Sequence, residues 1–180
     1  MSQLVGKNSH DRWYPNSIKS LKQYLITCDS LNNEYKTELV SNLAYSFQYL
    51  EYLSKTLREL NLSSVLVNQT IKSFIVFSAA LIEALIIEIC ELKNNVRFEI
   101  AIKVYKEKGF SEYIDTDFDE LDKIRKLRNR VHLHKATISG KSDYKNFWLN
   151  DYKESKRLLL KLISSNHFSG KTSDLFSFLE

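Results

Sequence analysis

The sequence predicts an all-α protein, a single antiparallel bundle of five or six helices. Three observations carry this. One proline and four glycines in 180 residues are too few for the many tight turns of a β fold. Val40, Leu43, Ala44, Phe47, Leu50, Leu53, Leu57 and Leu60 recur at steps of three and four, the period of an amphipathic helix. From Val65 to Leu92 apolar residues fall on nearly every helical face, as they do in a helix at the centre of a bundle. The length suits one domain, and 43% hydrophobic with 27% charged residues excludes a disordered chain.

Residues 1–15, MSQLVGKNSHDRWYP, show no period and end at the only proline, so a flexible arm is expected. The bundle is expected over 16–165. Its first helix runs from Ser17 to about Cys28, with Ile18, Leu21, Leu25 and Cys28 on one face. The sequence DSLNN breaks it. A long helix from about Glu34 to Leu60 follows, and Ser63 or Ser64 can cap the apolar helix after it. Asn95 opens a shorter helix that stops at Gly109. Another begins near Thr116 or Asp117, runs through DFDELDKIRKLRNRVHLH and frays around Gly140. A last helix spans about Phe147 to Ser164, and a polar C-terminal tail covers 166–180.

Composition also narrows the setting. Cys28 and Cys90 form no C-x-x-C pair and no disulfide framework, which favours a reducing compartment. The first thirty residues read as no signal peptide. The most apolar stretch, Phe74 to Cys90, contains Ser78, Glu83 and Glu88 and falls short of about 18 uninterrupted apolar residues. A cytoplasmic protein with no membrane partner is expected. The net charge of +4 says little by itself; its distribution says more.

Residues 115–122 hold five acids: Asp115, Asp117, Asp119, Glu120 and Asp122. Six bases then follow without an acid (Lys123, Arg125, Lys126, Arg128, Arg130, Lys135), with His132 and His134 among them. Acids at a helix start and bases at its end complement the macrodipole. That accounts for the acids. It does not account for two histidines, or for Asn129, a poor helix former, beside Arg128.

These residues carry a resemblance. KLRNRVHLH resembles the signature of the HEPN superfamily of ribonuclease-type domains, an Arg followed after four to six residues by a His, often with Asn directly after the Arg. FSAALIEAL resembles that family's central helix, an apolar run with an embedded Glu, here Glu83. The order of helices fits as well, and the likeness covers roughly Glu34 to Ser164.

The resemblance implies a metal-independent endoribonuclease of a toxin or anti-phage system, needing no cofactor and working as a homodimer whose motif helices meet in a cleft. It gives Arg128 the scissile phosphate and, by its spacing, His134 the proton transfer, whereas ideal-helix geometry alone picks His132, four residues from Arg128 and on its face. Asn129 holds the phosphate or orients the Arg, and His132 supports. Arg125, Lys126, Arg130 and Lys135 become RNA contacts, and Glu83 a supporting acid bonded to a base of the motif helix. A cognate antitoxin of the nucleotidyltransferase type is a further implied partner. Some such toxins carry a Tyr two positions after the His, and Ala136 stands there.

The chemistry suits these residue types. Attack by the ribose 2′-OH needs proton transfer near neutral pH, which imidazole provides. Charge growing on the phosphoryl oxygens suits a guanidinium fork. A metal site at His132 and His134 is disfavoured, because residues two apart point about 200° apart on a helix and no third ligand is suitably spaced. Phe and Tyr residues between Tyr45 and Phe77 recur at helical spacing and read as core. Cys90 reads as a small core residue, and His10 and His167 as solvated ends. The competing reading is a non-catalytic helical module that binds RNA or a protein partner through the same basic face.

Overall fold

The computed structural model describes residues 16–93, 95–110, 112–130, 147–170 and 174–180. Among these lie six α-helices and no strand: α1 (Ile18–Leu25), α2 (Thr37–Glu59), α3 (Ser64–Ile89), α4 (Phe98–Glu107), α5 (Asp115–Asn129) and α6 (Leu149–Ile163). Short 3-10 turns cover Glu34–Lys36 and Ser177–Leu179. The predicted all-α bundle is present.

The apolar helix sits at the centre. α3 packs against α2, α4, α5 and α6, and Phe74, Ile75, Ala79, Ile82, Leu85 and Ile86 are wholly buried. Its most apolar 18-residue window has a mean hydropathy of 2.0, high enough for a membrane span, yet 56% of that window is buried inside the bundle. Four residues join α2 to α3, which makes the two long helices an antiparallel pair.

Helix ends differ from expectation where local chemistry decided them. Ser17 caps α1, its hydroxyl accepting the Ser20 amide at 3.1 Å. Ser63 takes the N-cap position of α3, but its side chain makes no capping bond. α4 begins at Phe98, not Asn95, because Phe98, Ala101, Ile102 and Tyr105 are the face it buries. Gly109 ends this stretch with φ +68, a conformation only glycine adopts without strain.

Two expectations at the ends of the chain are corrected. The C-terminal tail is not a solvated polar segment: Phe176, Phe178 and Leu179 are buried. Phe176 meets the edges of Tyr24 (4.9 Å) and Phe47 (5.1 Å), so the tail seals the α1–α2 side of the core. The Asn16 amide group holds the Leu175 carbonyl at 2.9 Å and a Glu51 carboxylate oxygen at 3.0 Å. His167 is not solvated either. It packs edge-on to Phe110 at 4.4 Å and lies 3.3 Å from Glu112. His10 lies outside the described residues.

A third correction concerns the aromatics. Phe47 and Phe74 are core, but Tyr45, Tyr49, Tyr52 and Phe77 are exposed. Tyr49 stacks on Tyr52 (6.1 Å between centroids) and meets Phe77 edge-on (4.8 Å). They form an outward aromatic band along α2 and α3. Cys28 and Cys90 are buried thiols, and burial pushes the Cys90 thiol above its ordinary range despite Lys108 nearby.

Candidate functional site

α5 carries the basic motif. Leu121, Ile124 and Leu127 face the core and fix its rotation. That rotation sets Arg128 on the shoulder nearest α3, where its Nη2 lies 2.7 Å from Oε2 of Glu83. The Arg128 side chain remains 32% exposed and that of Glu83 17%. The pair therefore stands partly exposed at the seam between two helices. A guanidinium has five N–H donors in a planar fork, so one ion pair leaves donors free for a phosphate oxygen. Asn129 follows on the exposed face.

The remaining bases of α5 divide into engaged and open groups. Arg125 is bound by Asp122 (2.8 and 2.6 Å) and lies 3.8 Å from Glu99 of α4; with its side chain only 15% exposed, it ties α4 to α5. Lys126 lies 2.6 Å from the other Asp122 oxygen and stays exposed. The hydrogen bond from Lys126 is the main reason the Asp122 carboxyl sits below its ordinary range; burial opposes this and Arg125 adds to it. Arg130 is exposed and makes no ion pair among the described residues. His132, His134, Lys135 and Ala136 lie outside the described residues.

α5 ends at Asn129, earlier than the sequence suggested. The Arg130 amide bonds to the Leu127 carbonyl, three residues back, at 3.0 Å.

Of the two acids with the strongest structural role, Asp117 was read only as one of five at a helix start and Asp151 was not singled out. Asp117 Oδ2 accepts the Ile114 amide at 2.9 Å, capping α5. The same carboxylate meets Arg157 (2.5 Å) and Lys161 (2.8 Å) of α6. Asp151 is its counterpart at the start of α6, accepting the Trp148 amide at 3.1 Å and binding Lys123 of α5 at 2.8 Å. Both acids are almost wholly buried. Each caps its own helix and holds cations of the other.

Comparison with protein-family models, curated proteins and solved structures finds no match. What the chain does is therefore read from its own side chains. Trp148 was also overlooked, although a tryptophan directly before a helix start is a visible signal. It stands 68% exposed beside Lys123, Lys126 and Arg130. Among the described residues no three His, Cys, Asp or Glu side chains converge as metal ligands would.

Proposed function

We propose that this protein is a cytoplasmic, metal-independent endoribonuclease of the HEPN type, serving as a toxin or anti-phage effector and working as a homodimer. The observation that carries the reading is the Arg128–Glu83 pair, a guanidinium held at a helix seam on a partly exposed side chain. A fixed Arg beside an exposed Asn suits the developing charge of a phosphoryl transition state. When the ribose 2′-OH is the nucleophile, the protein has only to move protons and stabilise charge.

The test is incubation with end-labelled RNA in EDTA. Cleavage should persist and leave 2′,3′-cyclic phosphate ends. His134→Ala should abolish it, while His132→Ala should keep activity within about tenfold, a partial loss being typical of a group that assists the proton-transfer residue. Both are compared at equal folded fraction by circular dichroism. Intact RNA under every salt condition would sink the reading. So far as the two histidines go, the reverse ranking would move proton transfer to His132.

One observation favours the competing module without catalysis: Glu83 and Asp122 already compensate Arg128, Arg125 and Lys126, as they would in a purely structural helix. The two readings part on pH. A catalyst loses activity through a histidine titration, whereas a binder responds mainly to salt.

The dimer needs apolar area, and the aromatic band supplies it close to the site. Phe77, Ala80 and Glu83 follow each other at steps of three along α3, so the band leads toward Arg128. Two copies joined there would set their motif helices near the two-fold axis. Light scattering at tens of micromolar should give two chains for the wild type and one for Phe77→Asp, an exposed position where the change spares the core. A monomeric wild type would count heavily against the dimer.

A further inference from the structure

The motif helix has a second shoulder, facing α6. Two adjoining hollows of about 330 and 380 Å³ lie there and share Lys123, Trp148 and Asp151. Trp148 is 68% exposed, the most exposed aromatic in the described bundle after Tyr35. An exposed indole offers a wide, flat aromatic face to a ligand. Its position is also fixed, because Asp151 binds the Trp148 amide and, across the groove, Lys123.

We propose that this groove takes an unpaired nucleotide of single-stranded RNA, its base stacked on Trp148 and its phosphates met by Lys126 and Arg130. The proposal rests on the ribonuclease reading and names the form of RNA the site receives. Three cations line the hollows, while the single acid among the lining residues, Asp151, is buried and already bound to Lys123. Asp122 offsets part of the Lys126 charge; Arg130 has no acid beside it among the described residues. An open aromatic face with flanking cations is the chemistry that holds single strands, since every base has a face to stack and every linkage a charge. A base inside a duplex cannot reach the indole.

An exposed face of α5 lies between the groove and the candidate site. Arg128 and Arg130 point about 200° apart around α5. Exposed Lys126 and Asn129 lie between them. A strand crossing that face would touch Trp148 on one shoulder and present a phosphate to Arg128 on the other.

The experiment exploits the presence of only two tryptophans. In a Trp13→Phe background, Trp148 emission is followed while a short 2′-O-methyl pyrimidine strand, which cannot be cleaved by 2′-OH attack, is titrated in. Saturable quenching is expected, with the same sequence as a duplex giving little. With cleavable RNA, Trp148→Ala should raise KM about tenfold or more and leave kcat within about threefold, and Trp148→Phe should restore most of the loss. If Trp148→Ala binds and cleaves like the wild type, or if duplex quenches as well as single strand, the stacking site is wrong and the ribonuclease reading stands. Emission that shifts with protein concentration and not with RNA would make Trp148 a contact between protein molecules, and also overturns it. Quenching by single strands without any cleavage supports the groove while removing the ribonuclease reading.

Discussion

Replacing Asp117 by Ala is expected to lower the folding free energy by about 3 kcal/mol, the largest loss from one polar side chain here. Two contributions combine. The Ile114 amide loses its cap, and Arg157 and Lys161 lose the one acid that faces both. Full burial of all three charges would make the loss larger, but Arg157 and Lys161 are 39% and 36% exposed, and water takes over part of their solvation. Asp117→Asn should cost about 2 kcal/mol, because the amide oxygen still accepts the Ile114 N–H while the ion pairs are gone. Urea titration measures both. Burial by itself would raise the Asp117 carboxyl; the Ile114 amide, Lys161 and Arg157 outweigh it and hold the group below its ordinary range. A carboxyl depressed in the folded state contributes stability above its unfolded pKa of about 4, and loses it as pH falls through the folded value. The gap between wild type and Asp117→Asn should therefore be full at neutral pH and close progressively below about pH 4. A constant gap down to pH 2 would mean that the charge on Asp117 is not what joins α5 to α6.

That lock was not legible in the sequence, for a physical reason. Five acids ahead of six bases on one segment suggest pairing along a helix and a favourable macrodipole, and Asp122 with Lys126 does pair in this way. Asp117 and Asp151 instead reach across to the other helix, 40 and 28 residues away in sequence, and no local period encodes that. The helices themselves were legible because their burial is periodic: α3 was recognisable from its continuous apolar faces, and it is the helix that packs against four other α-helices. The tail was misread because Phe176, Phe178 and Leu179 are too few to show a period. Phe176 finds its place between Tyr24 and Phe47, and Phe178 and Leu179 find theirs against α2 and α6.

The tyrosines show a different limit. α2 carries an inner stripe at 40, 43, 44, 47 and 50 and an outer stripe at 42, 45, 49 and 52, both at steps of one, three or four. Periodicity reveals a stripe without saying which one meets a neighbour. Tyrosine adds to the ambiguity, since its ring suits a core and its hydroxyl suits water. Of the candidate site, the likeness to HEPN motifs led to Arg128, Asn129 and Glu83, and the last of these sits against Arg128. The bases beside them could not be sorted from sequence. Arg125 is a tether between α4 and α5, and Arg130 is exposed with no ion pair among the described residues, although both belong to one basic run.

On the proposed ribonuclease reading, Arg128→Ala is expected to lower kcat/KM for RNA cleavage by about 10²–10³-fold, the usual consequence of removing a charge partner from a transition state. Arg128→Lys should recover no more than about tenfold of this, because a point charge replaces a planar fork. Glu83→Gln separates positioning from chemistry. The amide can still accept a hydrogen bond from the guanidinium but no longer anchors its charge, so kcat should fall about 3–10-fold with KM little changed. Stability has to be measured beside activity. Arg128→Ala leaves the Glu83 carboxylate, only 17% exposed, without its cation, at a cost of about 1–2 kcal/mol after allowance for the partly exposed pair. Glu83→Gln leaves an Arg that water can reach, and should cost less. Rates compared at equal folded fraction thus rank Arg128→Ala well below Glu83→Gln. If the two variants lose equal activity, Glu83 takes part in the chemistry and not only in holding Arg128. If Arg128→Ala cleaves as fast as the wild type, the pair is a structural clamp and the phosphate is held elsewhere on the motif helix.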